Sequence, residues 1–133
     1  MAIILDADVI IRDERRTFDL KRWAASLPDE QFQIAAITVA ELWHGVERAS
    51  PGFRPEREDC VRRTISLAHV LPYTENTAFA HARIWAEPES SGKMIGYYDL
   101  IVAATALEHG SKVATFNERH FAAVRGLKML TPR

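Results

Sequence analysis

Short apolar runs alternate along the chain with longer stretches in which apolar residues recur at helical spacing. The strand-sized runs cover residues 2–5, 32–37, 69–72 and 112–115, with a possible fifth at 128–130. The helical stretches cover a short segment at 9–11, then 18–27, 38–49, 56–67, 74–87 and 98–109. Apolar runs without a polar alternation are typical of strands buried on both faces of a parallel sheet. The pattern predicts one α/β domain over residues 1–133, with helices flanking a parallel sheet.

Several residues mark where these helices begin and end. Thr38 followed by Glu41 matches a capping box, so we expect the second strand to lead into a helix that begins at Thr38. Pro88 is expected to end the helix that begins at Thr74. Gly110 stands where a left-handed residue would close the most apolar helix.

Polar residues follow the predicted strands at the points where those strands end. Asp6 and Asp8 follow the first strand, Glu41 and Asp99 lie in the first turns of two helices, and Asn117 follows the fourth strand. Ligands of open α/β sheets bind beyond the carboxyl ends of the strands, so we expect these side chains to meet. Crowded carboxylates repel one another unless a cation lies between them. Hard divalent cations such as Mg²⁺ or Mn²⁺ prefer these oxygen ligands, which indicates phosphodiester hydrolysis.

Each acid also has a purely structural interpretation. Asp8 could cap the short helix at residues 9–11, and Glu41 could serve only as the capping-box partner of Thr38. Asp99 could complement the dipole of its helix at the first turn. Joint placement at successive strand ends favours the metal site, while the individual residues leave both interpretations open.

Charge and cysteine content narrow the functional classes. The chain has 17 basic and 18 acidic side chains and a net charge of −1, which argues against binding nucleic acid through bulk positive potential. A local, metal-loaded acidic site remains compatible with this balance. The single cysteine, Cys60, fits a reducing compartment. The absence of a long apolar run and of a basic, signal-like start predicts no membrane span and a cytoplasmic protein.

Four blocks of sequence together resemble the PIN domain family, and in particular its VapC-like and FitB-like toxins. The third block is the most specific, and the blocks occur in the family's order over nearly the whole chain. They are ILDADVII at residues 4–11, ITVAELWHGVE at 37–47, IGYYDLIVAATA at 95–106 and VATFNERHF at 113–121.

The resemblance implies a PIN-like fold with a five-stranded parallel sheet, and endonucleolytic cleavage of RNA that depends on Mg²⁺ or Mn²⁺. Asp6 and Asp99 are then the firmest metal ligands, Glu41 completes the acidic set, and Asn117 belongs to the catalytic group. The implied partners are an RNA substrate and a small antitoxin of a type II toxin–antitoxin system. A homodimer and a toxin–antitoxin hetero-oligomer are the expected assemblies.

The fourth block departs from the family pattern at two positions. Asn117 stands where relatives often carry Asp, and many relatives have a further Asp where His120 stands. An asparagine can bind metal through its carbonyl but adds no negative charge, so the number of ions stays open. Asp8 or Glu118 could partly compensate.

Two other functional classes are compatible with parts of the sequence. Asp6-Ala7-Asp8 also resembles the nucleophile motif of haloacid-dehalogenase-type phosphatases, although Ile10 stands where those enzymes have Thr or Val. The second alternative is a PIN-like, partner-dependent DNA-binding module with little catalytic activity, which Asn117 keeps open. Metal-dependent ribonuclease activity would separate the first hypothesis from both alternatives.

Overall fold

The computed structural model describes residues 2–133, which form five strands and six α-helices. The strands are β1 (Ala2–Leu5), β2 (Gln31–Ala35), β3 (His69–Leu71), β4 (Lys112–Ala114) and β5 (Met129–Leu130). The helices are α1 (Ala7–Glu14), α2 (Leu20–Ala25), α3 (Ala36–Arg48), α4 (Arg54–Leu67), α5 (Glu75–Ser90) and α6 (Tyr97–His109). A short 3₁₀ turn covers Glu118–His120. None of the helices within residues 2–133 has the length and apolar character needed to cross a lipid bilayer.

The strands form one sheet in the order β3-β2-β1-β4-β5, and every neighbouring pair is parallel. The predicted parallel α/β domain is therefore confirmed. Strand order reverses around β1, because β2 lies on one side of it and β4 on the other. Such a switch point opens a crevice at the carboxyl ends of the two central strands. The register pairs Leu5 with Ala114, so Asp6 and Thr115 emerge side by side into that crevice.

Both faces of the sheet are buried, which explains the apolar runs without alternation. Ile4 and Val113 belong to one core cluster, together with residues of α6 such as Val102. Ile3 and Leu5 belong to the second cluster, on the opposite face, with residues of α1, α3 and α4. Neighbouring residues of β1 thus contribute to different cores, as expected for a central strand between two helical layers.

The predicted capping box at Thr38 is wrong. Helix α3 begins at Ala36, directly after β2, and its N-cap Ala35 makes no side-chain cap hydrogen bond. Thr38 lies inside the helix and is fully buried, and its hydroxyl has no hydrogen-bond partner. The strand passes into the helix without a loop, so Thr38 is turned into the core rather than back toward the helix terminus. A capping-box role with Thr38 therefore does not explain the presence of Glu41.

Other element boundaries differ from the predicted ones by a few residues. Helix α5 continues through Pro88 to Ser90, because a proline in the last turn removes only a hydrogen bond near the helix end. The segment predicted as a short helix at 9–11 extends over Ala7–Glu14, and the helix predicted at 18–27 is limited to Leu20–Ala25. Gly110 closes α6 in the left-handed conformation at φ 66°, as predicted.

Candidate metal centre at the carboxyl edge of the sheet

Asp6 occupies the centre of the crevice and is tied to the ends of both central strands. Its backbone N–H donates to the carbonyl of Ala114 at 2.9 Å, which extends the β1–β4 pairing by one residue. Its Oδ1 accepts a hydrogen bond from the Ala7 N–H at 2.9 Å, so Asp6 is the N-cap of α1. Its Oδ2 accepts a hydrogen bond from the Thr115 hydroxyl at 2.9 Å. Only 8% of Asp6 is exposed, and this carboxylate is held in one position.

Asp8 lies beside Asp6 and is bound by the segment that follows β4. Its Oδ2 accepts hydrogen bonds from the Phe116 N–H and from the Asn117 side-chain amide, each at 3.0 Å. The Thr115 hydroxyl lies 3.3 Å from the same oxygen, and it accepts a hydrogen bond from the Asn117 N–H at 3.0 Å. The Oδ1 of Asp8 is buried without a hydrogen-bond partner. Asp8 therefore does not cap α1, and one of its oxygens is left for a ligand.

Glu41 approaches the same crevice from α3, in the second turn rather than the predicted first turn. Its Oε1 is buried without a hydrogen-bond partner. A buried carboxylate oxygen without a donor carries an uncompensated desolvation cost, so it is a natural ligand for a cation.

Asp99 lies in the first turn of α6, whose N-cap is Gly96. A Cβ on Gly96 would lie 3.3 Å from the Asp99 Oδ2, so the glycine lets the backbone approach this carboxylate closely. His120 contacts Asp99 from the 3₁₀ turn after β4, with 3.8 Å between its Nδ1 and the Asp99 Oδ2. Asp99 thus faces the segment that carries Asn117 and His120.

We refer to Asp6, Asp8, Glu41 and Asp99 as the acidic cluster. Burial raises the pKa of Asp6 to about 6, with a further contribution from the negative charge of Asp8. Burial also raises the pKa of Glu41 to about 7, and Asp6, Asp99 and Asp8 raise it further in that order. Burial raises the pKa of Asp99, whereas His120 lowers it. The carboxylates repel one another across the crevice, as expected for acids gathered without a countercharge.

A hard divalent cation fits this donor set. The cluster offers carboxylate oxygens, two of which, Asp8 Oδ1 and Glu41 Oε1, are buried and unpartnered. As they are arranged in the metal-free protein, no three or more histidine, cysteine, aspartate or glutamate side chains within residues 2–133 could together hold a metal ion. Binding would therefore require a cation to draw the repelling side chains together.

The predicted site residues have different positions relative to the cluster. Asp6, Glu41 and Asp99 interact electrostatically with one another, and Asn117 contacts the cluster through Asp8. Glu118 is exposed and accepts a hydrogen bond from the hydroxyl of Thr131, so its compensating role stays a prediction. Sequence reasoning missed Thr115, although it follows β4 as directly as Asp6 follows β1.

Comparisons with known proteins identify the family to which the chain is related. The sequence pattern of the PIN domain family matches residues 3–127. The chain is 31% identical over 134 residues to Ribonuclease VapC1 of Rickettsia felis, covering 98% of this chain and 96% of that protein. It is 29% identical over 130 residues to the tRNA(fMet)-specific endonuclease VapC of Salmonella typhimurium, covering 97% and 96% of the two proteins.

A solved structure has the same fold. DNA-bound VapBC from Salmonella typhimurium superposes with a TM-score of 0.89 at 26% identity, covering 98% of each chain. These matches extend over nearly the whole chain and include all four members of the acidic cluster within residues 3–127. The haloacid-dehalogenase-type alternative is thereby excluded. The chain belongs to the PIN domain family.

Proposed function

We propose that this protein is a divalent-metal-dependent endoribonuclease and the toxin of a type II toxin–antitoxin system. The observation that carries the proposal is the acidic cluster itself. Four carboxylates from three parts of the chain lie close enough to repel one another, and two of their oxygens are buried without a hydrogen-bond partner. Relatives that align over almost the full length are named ribonucleases or endonucleases, which supports RNA as the substrate.

Asp6, Glu41 and Asp99 would hold Mg²⁺ or Mn²⁺, with Asp8 beside them. A bound ion of this kind polarises a phosphoryl oxygen and activates water for attack on phosphorus. The chain's own contribution is to fix the ligands: the Thr115 hydroxyl orients Asp6, and the Asn117 amide orients Asp8. We therefore assign Asn117 a positioning role in this reaction.

A basic side chain lies beside this machinery and suits the substrate backbone. The Arg12 guanidinium lies 4.1 Å from the centre of the Phe116 ring, next to the segment that holds Asp8. Arg12 is otherwise exposed to solvent. Its positive charge at the edge of an acidic site is suited to contact the phosphates that flank the scissile bond.

A small antitoxin and a second copy of the chain are the proposed protein partners, in the cytoplasm. The solved Salmonella typhimurium relative is a VapBC complex bound to DNA, which supports the antitoxin. Exposed large apolar side chains provide surface for such partners, as expected of a protein that acts in assemblies. They include Phe53, Phe79, Met94 and Tyr97, of which 70%, 68%, 97% and 72% are exposed.

The test is cleavage of a defined RNA by the purified chain. We expect endonucleolytic products with Mg²⁺ or Mn²⁺, none with a chelator, and recovery when the ion is restored. Co-purification with the product of the neighbouring gene should suppress the cleavage. Metal-independent cleavage, or DNA binding by the complex with no cleavage of any RNA by the free chain, would contradict the proposal.

A further inference from the structure

His120 is the base that faces the acidic cluster. It ends the 3₁₀ turn after β4, where its backbone N–H donates to the Asn117 carbonyl at 2.9 Å. Its side chain is half exposed and reaches toward Asp99, of whose side chain 27% is exposed. Among the described residues, no lysine or arginine contacts Asp6, Glu41 or Asp99 or lowers their pKa values, and His120 alone does so at Asp99.

The separation between His120 and Asp99 is that of an ion pair or of two ligands of one cation, and not that of a hydrogen bond. The Nδ1–Oδ2 distance of 3.8 Å is too long for a direct hydrogen bond. Two ligands that each lie about 2.1 Å from one ion are roughly 3 to 4.2 Å apart, depending on the angle between them. The pair therefore has the spacing of two groups that share a cation.

We propose that His120 is a nitrogen ligand that shares the bound cation with Asp99, and that it makes this centre prefer Mn²⁺ over Mg²⁺. The inference rests on the metal centre of the proposed function and adds a donor of a different chemistry. Mg²⁺ binds oxygen almost exclusively and loses its water shell reluctantly, whereas imidazole is a good ligand for first-row transition ions. An imidazole in place of a carboxylate lowers the attraction for Mg²⁺ more than that for Mn²⁺.

An ordinary ion pair between His120 and Asp99 would have the opposite effect on metal binding. A histidine that only neutralises Asp99 competes with the cation, so its removal would strengthen the binding of every divalent ion. A histidine that ligates the cation contributes affinity, so its removal weakens the binding of Mn²⁺. The sign of the change therefore separates the two roles.

The first experiment measures the dissociation constants of Mn²⁺ and Mg²⁺ by calorimetry on the purified, metal-free chain. We expect His120→Ala to weaken Mn²⁺ binding at least about tenfold, as loss of a group that supports a metal typically does. We expect a smaller change for Mg²⁺, and we expect His120→Asp to shift the preference toward Mg²⁺. His109→Ala is the matched control, because His109 also lies 3.7 Å from a carboxylate, that of Glu108, at the far end of α6.

The second measurement is electron spin-echo spectroscopy of bound Mn²⁺, which detects a directly coordinated nitrogen. The wild-type chain and His109→Ala should show the nitrogen coupling, and His120→Ala should lose it. Mn²⁺ bound without nitrogen coupling, or bound more tightly by His120→Ala, would overturn the role of His120 while leaving the metal centre in place. If the wild-type chain bound no divalent ion, or if Asp99→Asn bound Mn²⁺ normally, both this inference and the proposed metal centre would fail.

Discussion

Asp6 and Asp8 lie where strand β1 ends and passes into helix α1, whereas Glu41 and Asp99 lie on the helices α3 and α6. The two strand-end carboxylates accept hydrogen bonds from Ala7, Thr115, Phe116 and Asn117. Glu41 and Asp99 have far fewer contacts: the Glu41 Oε1 is buried without a partner, as is the Asp8 Oδ1, and Asp99 has His120 at 3.8 Å. One half of the acidic cluster is therefore fixed before any ligand arrives, and the other half is not.

The difference reflects where hydrogen-bond donors are available. Parallel strands end at a common edge and expose backbone N–H groups there, so acids at that edge find donors in neighbouring segments. The second turn of α3 offers Glu41 no free N–H, because the backbone N–H groups there are used within the helix. Glu41 would therefore obtain its compensation from a cation or from a cationic side chain. We infer that the strand-end acids define the position of the proposed metal centre, and that Glu41 and Asp99 would close around a bound ion.

The largest effect is expected when a fixed acid loses its charge. Asp6→Asn should reduce metal-dependent RNA cleavage by roughly a hundredfold or more, the order seen when one electrostatic group of a catalytic site is removed. The protein should remain folded, because the amide oxygen can still accept the Ala7 hydrogen bond. The measurement is the cleavage rate together with circular dichroism. Asp59→Asn, an exposed acid on α4, is the control and should keep full activity.

A smaller effect is expected when the acid stays but its donor is removed. Thr115→Val deletes a buried hydroxyl that donates to Asp6 and accepts from the Asn117 N–H. We expect a loss of about 1 to 3 kcal/mol in the free energy of unfolding, the typical cost of leaving buried polar groups unpaired.

Thr38→Val is the matched control for this substitution. Thr38 is equally buried, but its hydroxyl has no partner, so its removal should leave stability unchanged or raise it. Denaturant unfolding of both variants measures the difference. Equal losses of stability in the two variants would show that the strand-end half is not held by its hydrogen bonds.

Replacing Asn117 should weaken the hydrogen bonding that holds Asp8 in place. Asn117→Asp removes a donor 3.0 Å from the Asp8 Oδ2 and puts a second carboxylate against it. The metal-free variant should melt at a lower temperature than the wild type. Its half-saturating Mg²⁺ concentration should fall a few-fold, since an added charge a few ångströms from a cation contributes on the order of 1 kcal/mol in a partly hydrated site. A higher Mg²⁺ requirement would argue against a position for residue 117 beside the ion.

A further effect concerns the pH dependence of the metal-free protein. The pKa of Glu41 is raised from 4.5 to about 7 and that of Asp6 from 3.8 to about 6, so the folded state binds more protons than the unfolded state between these values. Stability must then fall as pH rises through the folded-state pKa values. We expect a lower melting temperature at pH 8 than at pH 5.

Glu41→Gln tests which half of the cluster causes this dependence. It should flatten the pH profile and raise the melting temperature at pH 8, and Mn²⁺ should stabilise the wild type there more than this variant. Glu56→Gln, at an exposed position of α4, should reproduce the wild-type profile. A melting temperature that rises from pH 5 to pH 8 without metal would contradict the mutual repulsion within the cluster.

Two acids of the cluster were predictable from the local sequence pattern alone. An apolar run followed by an acid located Asp6, and an acid directly before the most apolar helix located Asp99. Thr38 shows the limit of such patterns, because a threonine followed three residues later by a glutamate matches a capping box whether or not a loop precedes it. The helix boundary depended on β2 passing directly into α3, which is a consequence of how the strand and the helix pack together.

The sequence by itself determined the chemical character of the acidic cluster. It carries acids and an amide after successive strands, and these groups are suited to a hard cation. Only the tertiary structure decided which groups contact one another, because the decisive contacts join distant parts of the chain. Asn117 and Asp8 are 109 residues apart, as are Thr115 and Asp6. The parallel register of β1 with β4 brings them together, and no local periodicity encodes that pairing.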